Sequence, residues 1–300
     1  MPKIGQDRRD STCVEAFGYL LVREVGDLRR HEAGMLENPE SVHEYRVSAR
    51  RLRSLLAGYE PLFERATARA LRQDLRLSGD ALRDLRDQQV LVDRIERLLV
   101  DEPSDLDVAL ARRQFTRVVE PRSDPSSIVE HLVRSPDYDD FVRRLERFGD
   151  LPPWTTEAAK PVVPTLQPLL RAEWRRFRTG LEGALAGDEA DAGDRLHNAR
   201  EAAKRAHYVF EWAEPVLGRR AGRNARAARR VQRVLGQHRD STLAQRVLGL
   251  ATARAERLGE DTFVLRRLLS RETLLTEQLR ADFEQLVDLA DRKKLRRWLR

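Results

Sequence analysis

Residues 42–56 read VHEYRVSARRLRSLL, and residues 196–210 read LHNAREAAKRAHYVF. Overlaid at an offset of 154, His43 falls on His197, Arg46 on Arg200, Arg50 on Lys204 and Arg51 on Arg205. The register continues without a gap. Arg65, Arg69, Arg72 and Arg76 land on Arg219, Arg223, Arg226 and Arg230. With a one-residue slip, LRDLRDQQV from Leu82 meets LGQHRDSTL from Leu235, pairing Arg86-Asp87 with Arg239-Asp240. One coincidence means little in an arginine-rich chain. A series held in one register points to an internal duplication.

Helical phasing shows what the repeat carries. At about 100° per residue, His43, Arg46, Arg50 and Arg53 share an arc of about 80°. Val42, Tyr45, Ala49, Leu52 and Leu56 form the adjoining apolar face. The second copy reads alike: His197, Arg200, Lys204 and His207 against Leu196, Ala199, Ala203, Ala206 and Phe210. Arg51 and Arg205 sit off the stripe. In the following helix Arg65, Arg69, Arg72 and Arg76 fall within about 60° of arc. Its counterpart, RRAGRNARAARRVQR from Arg219 to Arg233, contains no acid. Like charges at helical spacing repel by a few tenths of a kcal/mol per pair. Crowding them beside a core face calls for an anion, from the protein or from a ligand. Asp87 and Asp240 read as structural partners for Arg51, Arg205 or another helix.

Composition supports an all-α protein. The 300 residues are 41% hydrophobic and 35% charged, with a net charge of +7, and Val/Ile/Thr alternation is scarce. Apolar spacing predicts helices at about 11–34, 40–58, 62–79, 81–100, 104–119 and 126–148. Five more are expected at about 163–186, 192–213, 216–235, 238–258 and 262–298. GDLPPWTTEAAKPVVP, Gly149 to Pro164, is the strongest linker and separates an N-terminal repeat (11–150) from a C-terminal one (160–298). Cys13 is the single cysteine, which excludes an intramolecular disulfide and a thiolate cluster. With no signal-peptide core and no apolar run of about 18 residues, the chain reads as soluble and cytoplasmic.

The basic stripes suit a phosphate polymer. Arginine's planar fork matches phosphate oxygens at any relevant pH, and lysine and histidine add donors. Nucleic acid is the rival partner, but base stacking needs aromatics among the cations, and aromatics are 6% of the chain. Tyr45 and Phe210 point to the apolar side. Enzymatic signatures are missing: no P-loop, no G-x-S-x-G, and no helical histidine pair with metal-ligand spacing. The expectation is therefore a binder without catalytic residues, cofactor or metal. Other polyanions, nucleic acid included, and a polyphosphate-processing enzyme are the alternatives. The oligomeric state is open.

These strings resemble the repeats of the CHAD domain, the conserved histidine α-helical domain. H-x-x-R-x-x-x-[RK]-[RK] occurs twice, each time followed by an Arg-Asp pair, and the likeness covers residues 11–298. The resemblance implies two pseudo-symmetric four-helix bundles around a basic central channel. It implies binding of inorganic polyphosphate and association with polyphosphate granules. His43, Arg46, Arg50, His197, Arg200 and Lys204 would line the channel. The series from Arg65 and from Arg219 would extend it, with Arg51, Arg53, Arg205, His207 and Arg233 completing the candidate site. Two departures stand out. Ala206-His207 replaces the Leu-Arg usual in the family, and Arg83 stands where the second half has Gly236. No E-x-E-x-K motif of the frequently fused CYTH domain is present, so a stand-alone CHAD protein is expected.

Overall fold

In the computed structural model, residues 11–103, 106–119, 125–186 and 191–299 are described, and among them the chain is all-α. The helices are α1 (Cys13–Ala33), α2 (Pro39–Gly58), α3 (Arg65–Ala81), α4 (Arg83–Val100), α5 (Val108–Val119) and α6 (Pro125–Val133). There follow α7 (Pro136–Asp150), α8 (Val162–Leu185), α9 (Ala192–Leu217), α10 (Arg219–Arg257), α11 (Phe263–Ala290) and α12 (Lys293–Arg296). Thr12 and Glu15 close a capping box at α1. Asn38 caps α2, with Pro39 in its first turn. The Glu64 carboxylate accepts the Ala66 and Thr67 amides at 2.9 and 2.7 Å and starts α3.

Three boundaries differ from expectation. The segment expected as one helix over 126–148 is two, because Ser135 caps α7 and Pro136 opens it. The two helices expected over 216–258 are one, α10. Gly236 lies inside it. A lone helical glycine costs only about 1 kcal/mol, while buried Ala228, Val231 and Leu235 on one side and Ala244 and Leu248 on the other anchor the helix. The last expected helix stops at Ala290 and resumes as α12.

The chain forms two compact units. One comprises the described parts of 1–82, 126–232 and 286–300; the other, those of 83–125 and 233–285. Each unit draws a stretch from both halves of the sequence. The Gly149–Pro164 linker lies within the first unit. It is pinned there: Trp154 stacks on Phe63 at 4.7 Å, Glu64 N donates to the Pro153 carbonyl at 2.7 Å, and Val162 N to the Ser11 carbonyl at 2.9 Å.

In the first unit α2 packs on α1, α3 and α9, and α8 packs on α9. The α2–α9 contact needs a glycine: a Cβ on Gly58 would lie 2.3 Å from Val209 Cγ2. Next to it Tyr59 Oη donates to the Val209 carbonyl at 2.6 Å, and Phe17 stacks on Trp212 at 4.6 Å. Gly218, with φ of 66°, takes the left-handed turn between α9 and α10. Cys13 is fully buried in this core, and burial pushes its thiol up to about 11. It packs as a small apolar residue.

The second unit has its own core. Ile95, Leu99, Phe115, Leu248 and Leu265 are central to it. Its buried acids are paired: Glu272 accepts both arms of Arg94 at 2.9 and 2.7 Å, and Glu102 accepts Arg267 and Arg271. Asp87 pairs with Arg239, joining α4 to α10. Of the partners expected for it, Arg51, Arg205 or another helix, the last is the one observed; Arg51 and Arg205 have buried glutamates of their own. Among the described residues no helix is long and apolar enough to cross a membrane.

Candidate functional site: an arginine groove on α2, α3, α8 and α9

The basic stripes of α2 and α3 meet because those helices are neighbours in the first unit. Together with α8 and α9 they enclose a groove of about 900 Å³. Six arginines line it: Arg53, Arg69, Arg72, Arg76, Arg176 and Arg205. Only two acids do so, Glu60 and Glu201. Small residues Ser54, Ala57, Gly180 and Ala202 keep it open. An adjoining pocket of about 630 Å³ shares Ala57, Glu60, Arg176 and Arg205 and adds Arg65 and Glu173.

Glu60 lies in the turn between α2 and α3 and gathers three guanidiniums. Arg65 Nε, Arg69 Nε and Arg72 Nη1 approach its carboxylate at 3.3, 3.4 and 3.4 Å. Glu201 projects from α9 and pairs with Lys204, with Arg53 and Arg200 each at 3.9 Å. Burial opposes the Glu201 charge, but Lys204, Arg200 and His197 outweigh it and hold the carboxyl down to about 2. Burial and the Arg200 guanidinium push the Lys204 ammonium down to about 7 against the pull of Glu201. Burial lowers Arg53 as well, with Arg50 and Arg76 adding to it. The groove is thus crowded with cations whose charges penalise one another, while arginines stay protonated.

The remaining candidates occupy distinct positions. Arg46 crosses to α3 and donates to the Gly79 carbonyl at 2.5 Å. Arg50 is half-buried, and its Nε is buried without a hydrogen-bond partner. His43 is half-buried on α2, Arg200 half-buried on α9, and His197 exposed. On α10, Arg219, Arg223, Arg226 and Arg230 are all exposed, and Arg226 reaches Glu214 at 3.4 Å. Arg233, also exposed, falls in the second compact unit. Arg51 does not line the groove. Its Nε pairs with buried Glu24 at 2.9 Å and its Nη2 with Glu211 at 3.4 Å. His207 is buried, and burial lowers its pKa further below the usual imidazole value. At neutral pH it adds no charge to the stripe expected to include it.

Arg51 instead lines a second pocket, of about 450 Å³, with Leu20, Arg23, Asp27, Glu211, Trp212, Glu214 and Pro215. This pocket corresponds to the first residue by residue. At the offset of 154, Ala57, Gly58, Glu60 and Pro61 match Glu211, Trp212, Glu214 and Pro215, and Arg51 matches Arg205. The ion pair Arg51–Glu24 corresponds to Arg205–Glu173, 2.8 Å long. At the offset those glutamates define, Leu20, Arg23 and Asp27 match Leu169, Ala172 and Arg176.

Sequence reasoning missed Arg176, Glu60, Glu201 and Glu173. Arg176 sits on α8, which carries no repeat of the histidine motif, so helical phasing of the motif could not reach it. Glu60 stands in the turn between the two helices, but Glu64 and Asp74 are nearer the stripe in sequence, so spacing alone did not single it out. Among the described residues no group of three His, Cys, Asp or Glu side chains is placed to hold a metal ion.

Solved structures share the architecture. PptA from Streptomyces chartreusis matches with a TM-score of 0.70 at 20% identity, over 92% of this chain and 99% of that one. The CHAD domain from the plant Ricinus communis matches with a TM-score of 0.58 at 22% identity, over 93% and 91%. At these identities the likeness concerns the fold. Two uncharacterized proteins of Mycobacterium tuberculosis, Rv2226 and MT2285, are each 27% identical over 259 residues. That alignment takes in 84% of this chain but only 48% of each relative, so the chain spans about half their length. The family model of the CHAD domain matches residues 20–249. That match takes in both histidine motifs, and α2, α3 and α9 of the groove: the chain belongs to the CHAD domain family.

Proposed function

We propose that the protein binds inorganic polyphosphate, without catalysis, in the groove lined by Arg53, Arg69, Arg72, Arg76, Arg176 and Arg205. The observation that carries this reading is the charge of the groove: six arginines against two glutamates. The guanidiniums come from four helices, so their donors face a common space from several sides. A linear anion with a charge on every unit satisfies such an array and displaces its counterions together. What the family resemblance implies, polyphosphate binding and association with polyphosphate granules, agrees with that chemistry. Nucleic acid fits less well. Among the described residues that line the groove, none carries an aromatic ring on which bases could stack. The two acids lining the groove are engaged with cations, Glu60 with three arginines and Glu201 with Lys204, which supports binding rather than metal-assisted phosphate hydrolysis.

A competition experiment tests the reading. Long-chain polyphosphate is bound at about 150 mM salt and challenged with single- and double-stranded nucleic acid at matched phosphate concentration. Retention of polyphosphate is expected. Equal competition by nucleic acid overturns the specific reading. Incubation with Mg²⁺ or Mn²⁺ is expected to release no phosphate, and release would make the protein an enzyme.

A further inference from the structure

Buried ion pairs in this protein are short and tight. Arg205–Glu173 is 2.8 Å and Arg94–Glu272 2.7 Å, with each carboxylate side chain at most 3% exposed. The cluster at Glu60 is different. Its three contacts are 3.3–3.4 Å, its own side chain is 28% exposed, and Arg65 and Arg69 are mostly in solvent. A single carboxylate faces three guanidiniums, so most of their charge is uncompensated. Arg72 in addition keeps a buried Nε with no hydrogen-bond partner. A buried donor without a partner is costly, so the Arg72 guanidinium is not fully satisfied by Glu60. Long, solvent-facing ion pairs of this kind contribute little to stability and exchange readily.

We infer that Glu60 is a built-in competitor for the polyphosphate, occupying the arginine fan of Arg65, Arg69 and Arg72 until the ligand displaces it. The inference rests on the polyphosphate reading and sets the specificity of that same site. A phosphate that reaches only the fan bears the whole penalty of displacing the carboxylate. A long chain also has binding modes that hold Arg53, Arg76, Arg176 and Arg205 and leave the carboxylate in place, so its affinity suffers less. Glu60 therefore discriminates against short phosphates and free orthophosphate in favour of long polymers. The carboxylate swings into solvent as the chain enters, and no covalent step is involved.

The test compares wild type, Glu60→Gln and Glu130→Gln, with long-chain polyphosphate and tripolyphosphate as probes at one ionic strength. Glu130 is an exposed α6 residue paired with Arg134, so its variant makes the same charge change away from the groove. Thermal melts verify that all three proteins fold. Glu60→Gln is expected to bind tripolyphosphate about fivefold to tenfold tighter, to gain less for the long chain, and so to narrow the ratio between them. Glu130→Gln is expected to match wild type. Equal or weaker tripolyphosphate binding by Glu60→Gln, or the same gain in Glu130→Gln, overturns the inference while leaving the polyphosphate reading intact. If wild type retains no polyphosphate, the reading itself falls and takes the inference with it.

Discussion

The groove beside Ala57 and the pocket beside Glu211 are assembled from corresponding residues, yet one is wide and cationic and the other is smaller, partly filled by aromatic rings, and acidic. The frame is shared: an arginine on a buried glutamate, a glutamate-proline pair (in the α2–α3 turn on one side, in the last turn of α9 on the other), and a leucine from α8 or α1. The difference lies in a few side chains. Ser54, Ala57, Gly58 and Gly180 border the open side. At the same offsets stand Tyr208, Glu211, Trp212 and His31. Tyr208 and Trp212 are buried, and the Arg51 guanidinium lies 5.9 Å from the Tyr208 ring. Arg53 is replaced by buried His207, and Arg176 by Asp27. Two halves that share a frame thus differ in space and charge through a few side chains: aromatic rings narrow one pocket, and two acids reverse its sign.

The largest expected effect comes from making the open side resemble the filled one. Ala57→Glu with Arg176→Asp should lower polyphosphate affinity on the order of a hundredfold, measured by calorimetry. A loss below about threefold would mean the groove is not the site. Second in size is a matched pair. Arg72→Ala should cost about tenfold and flatten the slope of log affinity against log salt by nearly one. Arg226→Ala, its counterpart on α10, should stay within about twofold. Equal losses would show that both sides bind.

A smaller effect concerns pH. The buried Lys204 ammonium, paired with groove-lining Glu201, is pushed down to about 7 in the free protein. A polyanion favours its protonated form and raises that value, so binding takes up a proton between about 7 and the raised pKa. Affinity is then highest below pH 7 and declines as pH rises through that window, by up to about tenfold for each pH unit the window spans. Lys204→Arg, which stays charged, should flatten the profile. Calorimetry in two buffers of different ionisation heat measures the proton uptake, and zero uptake at pH 7.5 would refute the coupling. The smallest expected effect on binding is that of Arg51→Ala. It leaves the buried Glu24 carboxylate with Arg23 alone and should cost about 2 kcal/mol of stability in denaturant unfolding, while the folded protein binds polyphosphate within about twofold of wild type.

Much of the site was legible before the fold was known. The i, i+4, i+7, i+11 spacing of Arg65, Arg69, Arg72 and Arg76 puts four guanidiniums on one face whatever that helix packs against. The buried side of α2, Val42, Tyr45, Ala49, Leu52 and Leu56, follows the same periodicity and is buried as phased. Arg51 and Arg205 mark where legibility ends. Their sequence settings match, and both pair with a buried glutamate, but only Arg205 faces the groove. Glu24 and Glu173 lie 27 and 32 residues from their arginines, and no local pattern announces such pairs.

Helical periodicity and the offset of 154 are properties of the chain, because the backbone repeat of 3.6 residues fixes which side chains share a face. They determined an all-α protein and the basic stripes that its helices carry. Which stripes meet, which acids reach them and which side stays open depend on helices packing at particular distances and angles. Those depend on contacts such as Gly58 on Val209, where the absence of one methyl group lets α2 and α9 approach. Long-range packing is a matter of volume in three dimensions, and the one-dimensional pattern does not encode it.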